Sequence, residues 1–463
     1  MNATLIGICS YVAIQFAIGI WVAQRVKAES DYILAGRNVG TAFAAVSVFA
    51  TWFGAETVMG SAGSVYSDGL SGAQGEPFAY GLSIILMGLL FAAPLRRRGL
   101  TTFADLFSER FGAGAERLAV LLLVPGSILW AAAQIRGFGQ IFSSAAGVEV
   151  TTGIAVAFLA VVTYTMIGGL LADIYTDFVQ GLAIVAGLLA LLVFVIINTG
   201  SPIDALANVE AQRFSIMAAE QTPLEFIEQW AVPICGSLVA LELISRLLAC
   251  RTPEIAKRAS YFGGSTYILV ALIPVYLGLV GTSLLPNLEE SEQLIPQLAQ
   301  TYLPTFFYVM FIGALISAIL STVDSALLAC SAMVSHNLVQ HVWPIENERA
   351  KVWTARLGVA GLGTLAFVLA LSSESIGDLV ELASAFGTAG IFVVTVFALF
   401  TNIGGPLSAY ATMATGAFVW AVSGPLLFDL TAPYTSGVVA AALTYPLVAL
   451  FERRLDGPQQ ERP

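Results

Sequence analysis

Residues 178–203 read FVQGLAIVAGLLALLVFVIINTGSPI, a run without a single ionisable side chain. A bilayer crossing takes about 20 apolar residues in helical form, so this stretch alone predicts a transmembrane helix. Outward from it, apolar windows recur at residues 2–24, 41–66, 73–95, 117–146, 152–171, 175–200, 226–249, 261–285, 303–333, 354–373, 377–401, 406–426 and 434–451. These windows predict an all-α integral membrane protein with about thirteen transmembrane helices. Helices are expected because backbone polar groups inside hydrocarbon must bond within their own segment, and the alternating pattern of a barrel strand is absent. Composition agrees: 57% of the 463 residues are hydrophobic and 11% are charged, against about 25% charged in soluble proteins. A mean hydropathy of +0.83 excludes a water-soluble enzyme.

The net charge of −11 becomes a topology signal once the charges are placed. Arg25, Lys27 and Arg37 share one loop, and Arg96, Arg97, Arg98, Arg110 and Arg117 the next alternate one. Arg246, Arg251, Lys257 and Arg258 follow, then Arg349, Lys351 and Arg356, and finally Arg453, Arg454 and Arg462 in the tail. Nearly all basic residues thus fall on one side, which the positive-inside rule makes cytoplasmic. Only Arg213 faces away, among Asp204, Glu210, Glu220, Glu225, Glu289, Glu290 and Glu292, and Arg136 lies within a span. An odd number of spans then puts the N-terminus outside and the C-terminus in the cytoplasm. The first window has no basic n-region before it and no cleavage site after it, and reads as a retained span. Cys9, Cys235, Cys250 and Cys330 lie in apolar segments without CxxC spacing, as small buried hydrophobes do.

Charges inside spans are expensive, so Glu56, Glu76, Arg136, Asp177, Glu242 and Asp324 each need an account. Singly, any of them can be a structural pair; six in one bundle point to a water-accessible pathway. Two windows are also broken in corresponding places, at Phe53-Gly54-Ala55-Glu56 in the second span and Pro233-Ile234-Cys235-Gly236-Ser237 in the seventh. Each opens a set of five spans, the pattern of inverted-repeat transporters whose unwound backbone holds ions near the midplane. The ninth span carries Ala318, Ser321, Thr322, Asp324 and Ser325 within about one turn, oxygen groups suited to a hard cation. Taken alone, such hydroxyls more often bond to their own helix.

These residues resemble the sodium:solute symporter family, which includes bacterial proline, sugar and sialic acid symporters and the high-affinity choline transporter. The likeness is carried by Asp31–Arg37, by Ser47–Gly60, by Tyr164 through Gly168-Gly169-Leu170 to Thr176-Asp177-Phe178-Val179-Gln180, and by Ser317–Ser331. It implies a LeuT-type fold of two five-helix inverted repeats in one transporter domain, residues 1–463. The first repeat would occupy 41–200 and the second 226–401. Residues 1–40 would form a peripheral first helix and loop, 406–451 two peripheral helices, and 452–463 a short cytoplasmic tail.

By position, the resemblance implies a sodium site from the carbonyls of Ala50, Phe53 and Ala318 and the hydroxyls of Ser321 and Thr322. Asp177 matches an acidic residue that assists sodium binding or release. In some relatives a second sodium binds, and Asp177, Ser321, Asp324 and Ser325 stand in its positions. Proline symporters carry an aspartate where this chain has Trp52, so their contacts there do not transfer. The choline branch is nearer: Trp52, Tyr80 and Trp130 match three of its aromatic positions, and Ala240 replaces the fourth. Aromatic faces attract organic cations, while Glu56, Glu76 and Glu242 suit an amine and Arg136 a carboxylate. Each ring could equally be core packing.

The expected function is a sodium-coupled secondary symporter importing a small polar organic solute, an amine or zwitterion such as an amino acid or choline-like compound. It would work by alternating access in the inner (plasma) membrane. The expected partners are the solute, sodium and the lipid bilayer, with no nucleic acid. A sodium-independent facilitator or channel, and a substrate-sensing receptor of the same fold, are the competing readings. No nucleophile and base pair or metal cluster suggests an enzyme, and His336 and His341 read as solvated loop residues.

Overall fold

A computed structural model describes residues 3–373, 376–428 and 430–455. The tail beyond Leu455, with Arg462, lies outside the described residues, as does the side chain of Cys9. The described chain is helical: α1 Ala3–Ala23, α2 Thr41–Trp52, α3 Glu56–Arg98, α4 Ala113–Ala146, α5 Val150–Thr199, α6 Pro223–Ser237 and α7 Leu241–Ala249. Then follow α8 Pro253–Leu284, α9 Thr305–Val334, α10 Glu348–Ser372, α11 Ile376–Ala385, α12 Thr388–Phe400, α13 Pro406–Ala421 and α14 Pro433–Leu455. Among the described residues, eight helices are long and apolar enough to cross a membrane singly, or nine if α6 and α7, bent by 40° at their break, form one span.

Local sequence explains several starts. Thr222 Oγ1 accepts a bond from the Glu225 amide while the Thr222 amide donates to the Glu225 carboxylate at 2.7 Å, with Pro223 first in α6. That is a capping box with proline at the favoured first position. Thr252 before Pro253 and Asn347 before Glu348 cap α8 and α10 by accepting from the Ile255 and Arg349 amides. Lipid-facing sides are equally legible. Leu159, Ile197, Leu269, Phe306, Phe418 and Leu447 are all exposed on outer helix faces, an apolar surface that water would not tolerate but hydrocarbon does.

Helix α9 packs against α4 and α5, and α8 against α2, placing α2 and α9 at the centre of the bundle. The break expected between residues 171 and 175 falls at Gly169, where two helical segments of α5 meet at a kink; its φ of +63° and ψ of −176° suit only glycine. A Cβ there would lie 2.5 Å from the Tyr32 ring and 2.9 Å from its carbonyl oxygen. Gly169→Ala therefore costs at least about 2 kcal/mol from strain and overlap, seen as a lower unfolding temperature in detergent. A wild-type melting curve would show the kink to be dispensable.

His336, expected as a solvated residue, is a tie. Its Nδ1 lies 3.2 Å from Glu29 Oε1 with only 28% of the side chain exposed, and Gln340 donates to the same oxygen at 2.6 Å. Burial pushes the Glu29 carboxyl up, but these bonds and the nearby positive charges outweigh it and hold the group below its ordinary value. The Glu29 amide in turn donates to Glu348.

Candidate functional site

Helix α2 stops at Trp52, and Phe53 leaves helical geometry with a ψ of 65°. The carbonyls of its last turn, Ala50 among them, and that of Phe53 are thereby released from the regular ladder. The break is supported rather than loose. The Ala55 amide donates to Gln134 Oε1 at 3.0 Å, Gln134 donates to Glu56, and Thr57 Oγ1 bonds to the Trp52 carbonyl at 3.0 Å.

Helix α9 meets this break directly. A Cβ on Gly54 would sit 3.1 Å from Thr322 Oγ1, and 2.5 Å from Gln134 Oε1 and 2.8 Å from Glu56 Oε2, so glycine makes room for the close approach. Thr322 also donates to the Ala318 carbonyl at 3.2 Å. Asp177 of α5 joins the same elements from the side: Ser47 of α2 donates to its Oδ2 and Ser321 of α9 to its Oδ1. The broken helix, Ser321 and Thr322, and Asp177 thus share one buried locus.

Beside it lies a group that sequence reasoning misplaced. Arg246, assigned to a cytoplasmic loop, is 1% exposed and sits inside the bundle on α7. Its Nη2 contacts Asp173 and Ser325 and lies 3.4 Å from Asp177. Asp173, left between spans by the same reading, is fully buried. Spacing held the signal: Asp173 and Asp177 are four apart on α5, as are Glu242 and Arg246 on α7, so each pair shares a helix face. Asp324 completes the cluster, next to Thr165 and Asp173.

The aromatic residues gather elsewhere in the same interior. The rings of Trp52 and Trp130 are 5.0 Å apart, Trp52 and Tyr80 5.5 Å, and Tyr80 and Trp130 6.1 Å. Tyr80 is fixed by Ser384 at 2.5 Å. A cavity of about 30 Å³ opens beside them, lined among others by Trp52, Trp130, Ser237, Glu242 and Ser384. Glu242 Oε1, Ser237 Oγ and both indole nitrogens are buried without a protein partner. The other expected contacts stand apart from the cavity lining. Glu56 is held by Gln134, Glu76 accepts from Tyr267, and Arg136 points toward the Ala370 carbonyl at 3.5 Å.

The architecture is that of membrane transporters. A substrate-bound, outward-open Na+-coupled sialic acid symporter matches with a TM-score of 0.83 and 16% identity, covering 99% of both chains. Mhp1, a nucleobase-cation-symport-1 family transporter, matches in a closed conformation with a TM-score of 0.65 and 15% identity, over 93% of this chain and 96% of that one. In sequence, the chain is 27% identical to high-affinity choline transporter 1 of Drosophila melanogaster over 431 residues, 88% of this chain and 69% of that protein. It is 29% identical to the high-affinity proline transporter PutP of Bacillus subtilis, over 94% of this chain and 95% of that one. The chain belongs to the sodium:solute symporter family, whose match runs from residue 32 to residue 416. It is a multi-pass membrane transporter.

Proposed function

We propose that this protein is a sodium-coupled symporter that imports a small amine or zwitterion across the plasma membrane by alternating access. The observation that carries the reading is the approach of Thr322 to Gly54, which sets a hydroxyl of α9 against the unwound end of α2. Sodium would be held there by the carbonyls of Ala50, Phe53 and Ala318 and the hydroxyls of Ser321 and Thr322. All are oxygen donors, as a hard cation needs. Binding across two elements favours the arrangement in which they touch, and so couples the ion to the conformational equilibrium. One positive charge moving inward contributes about 2.3 kcal/mol per 100 mV, enough for roughly fiftyfold accumulation.

In this reading the solute binds at the Trp52, Tyr80 and Trp130 cluster. Indole and phenol faces attract an ammonium, and the unpartnered Glu242 oxygen supplies its counter-charge. An amine bearing N–H groups uses both; a quaternary ammonium uses only the rings. Glu242→Gln should raise the half-saturating amine concentration about tenfold to a hundredfold, the value of a charge-assisted hydrogen bond. Wild-type uptake kinetics in that variant would remove Glu242 from the binding site. Thirteen crossings, with 41–200 and 226–401 as inverted five-helix repeats, an external N-terminus and a cytoplasmic C-terminus, complete the proposal.

The test is uptake into proteoliposomes under an inward sodium gradient, screened over radiolabelled amines, amino acids, sugars and carboxylates. Accumulation that collapses when potassium replaces sodium is expected. Equal flux in either salt would make the protein a facilitator instead.

A further inference from the structure

Asp177, Ser321, Asp324 and Ser325 are the oxygen groups at which a second sodium would bind, and the fold brings a cation of its own to them. We propose that the Arg246 guanidinium is a tethered occupant of this position, so that the protein binds one sodium ion and not two. The proposal rests on the sodium site at the α2 break described above and adds the stoichiometry.

Three observations carry it. The guanidinium Nη2 touches Asp173 and Ser325 and lies 3.4 Å from Asp177, so it faces the donors a second ion would need. Arg246 is 1% exposed, and its Nη1 is tied to the Glu242 carbonyl at 3.3 Å and to Ser245 Oγ at 3.4 Å. The side chain therefore cannot leave for solvent without moving α7. Arginine does not lose its proton in proteins. A sodium ion sharing Asp177 and Ser325 would face a permanent like charge at contact distance in a medium of low dielectric. Ser325 Oγ already accepts from Arg246 and donates to the Ser321 carbonyl at 2.7 Å, so one of the two lone pairs an ion could use is taken by the guanidinium.

The same geometry says what removal of the charge would do. Without the guanidinium, Asp173, Asp177 and Asp324 remain with two serine hydroxyls, and one oxygen of Asp173 and one of Asp324 are already buried without partners. These are oxygen groups of the kind a hard cation takes. Equilibrium binding of radioactive sodium to the purified protein in nanodiscs tests this without knowledge of the solute. Wild type should bind one ion per molecule, and so should Arg246→Lys, which keeps the charge. Arg246→Gln should bind two, returning to one when Ser325→Ala is added. Two ions in wild type, or one in a folded Arg246→Gln protein, would overturn the proposal. If Arg246→Gln does not fold, Arg246→Gln with Asp173→Asn, which removes both members of the buried pair, takes its place and should likewise bind two; one ion in that folded variant would overturn the proposal. Binding of no sodium by wild type would overturn the ion site itself, a different failure from a count of two.

Discussion

Replacing Ser321 and Thr322 together by alanine raises the sodium concentration for half-maximal uptake by about tenfold or more. A cation held by three carbonyls and two hydroxyls loses both hydroxyls, and each 1.4 kcal/mol of lost coordination is about a factor of ten. The single variants separate the parts. Thr322 bonds only within its own helix, to the Ala318 carbonyl, so Thr322→Ala should weaken sodium while leaving the unfolding temperature near wild type. Ser321 also donates to Asp177, and its loss should disturb both. Sodium activation curves on reconstituted protein, with expression and melting as controls, make the check; unchanged activation in the double variant would remove the proposed ion site.

Asp177→Asn should be the most damaging single change. Its carboxylate accepts from Ser47 and Ser321 and stands 3.4 Å from Arg246, all inside the bundle. Neutralising it leaves part of a buried guanidinium uncompensated, and breaking a buried pair costs about 3–5 kcal/mol. The expected results are a markedly lower unfolding temperature and uptake at least about tenfold slower. Wild-type uptake at low sodium, with unchanged melting, would show that Asp177 holds nothing that transport requires.

Hydropathy made most of the architecture legible, because lipid and a helical ladder leave few alternatives for apolar runs such as 178–203. The break at Gly54 was legible for the same reason: glycine and a charge are costly in a span and mark where it is interrupted. Boundaries were less so. The expected end of a span at residue 171 lies two residues from the kink at Gly169, because hydropathy marks the polar stretch and not the residue at which the backbone turns. Arg246 escaped because a charge near the end of a window is indistinguishable from a loop charge until its partners are known. Those partners, Asp173 and Ser325, are more than seventy residues away in sequence. The aromatic positions were legible only through family resemblance, and the cavity favours Glu242 over Glu56 and Glu76 because Glu242 lines it and the other two do not.

The contact of two indoles within 5.0 Å has a practical use. Neighbouring tryptophan chromophores couple electronically, so their near-ultraviolet circular dichroism and emission depend steeply on separation and tilt. A cavity of about 30 Å³ is too small for an organic solute, and any ligand that seats between Trp52 and Trp130 must push the rings apart. The unlabelled protein thereby carries an optical gauge of occupancy, through which candidate solutes can be ranked in detergent before any vesicle is made.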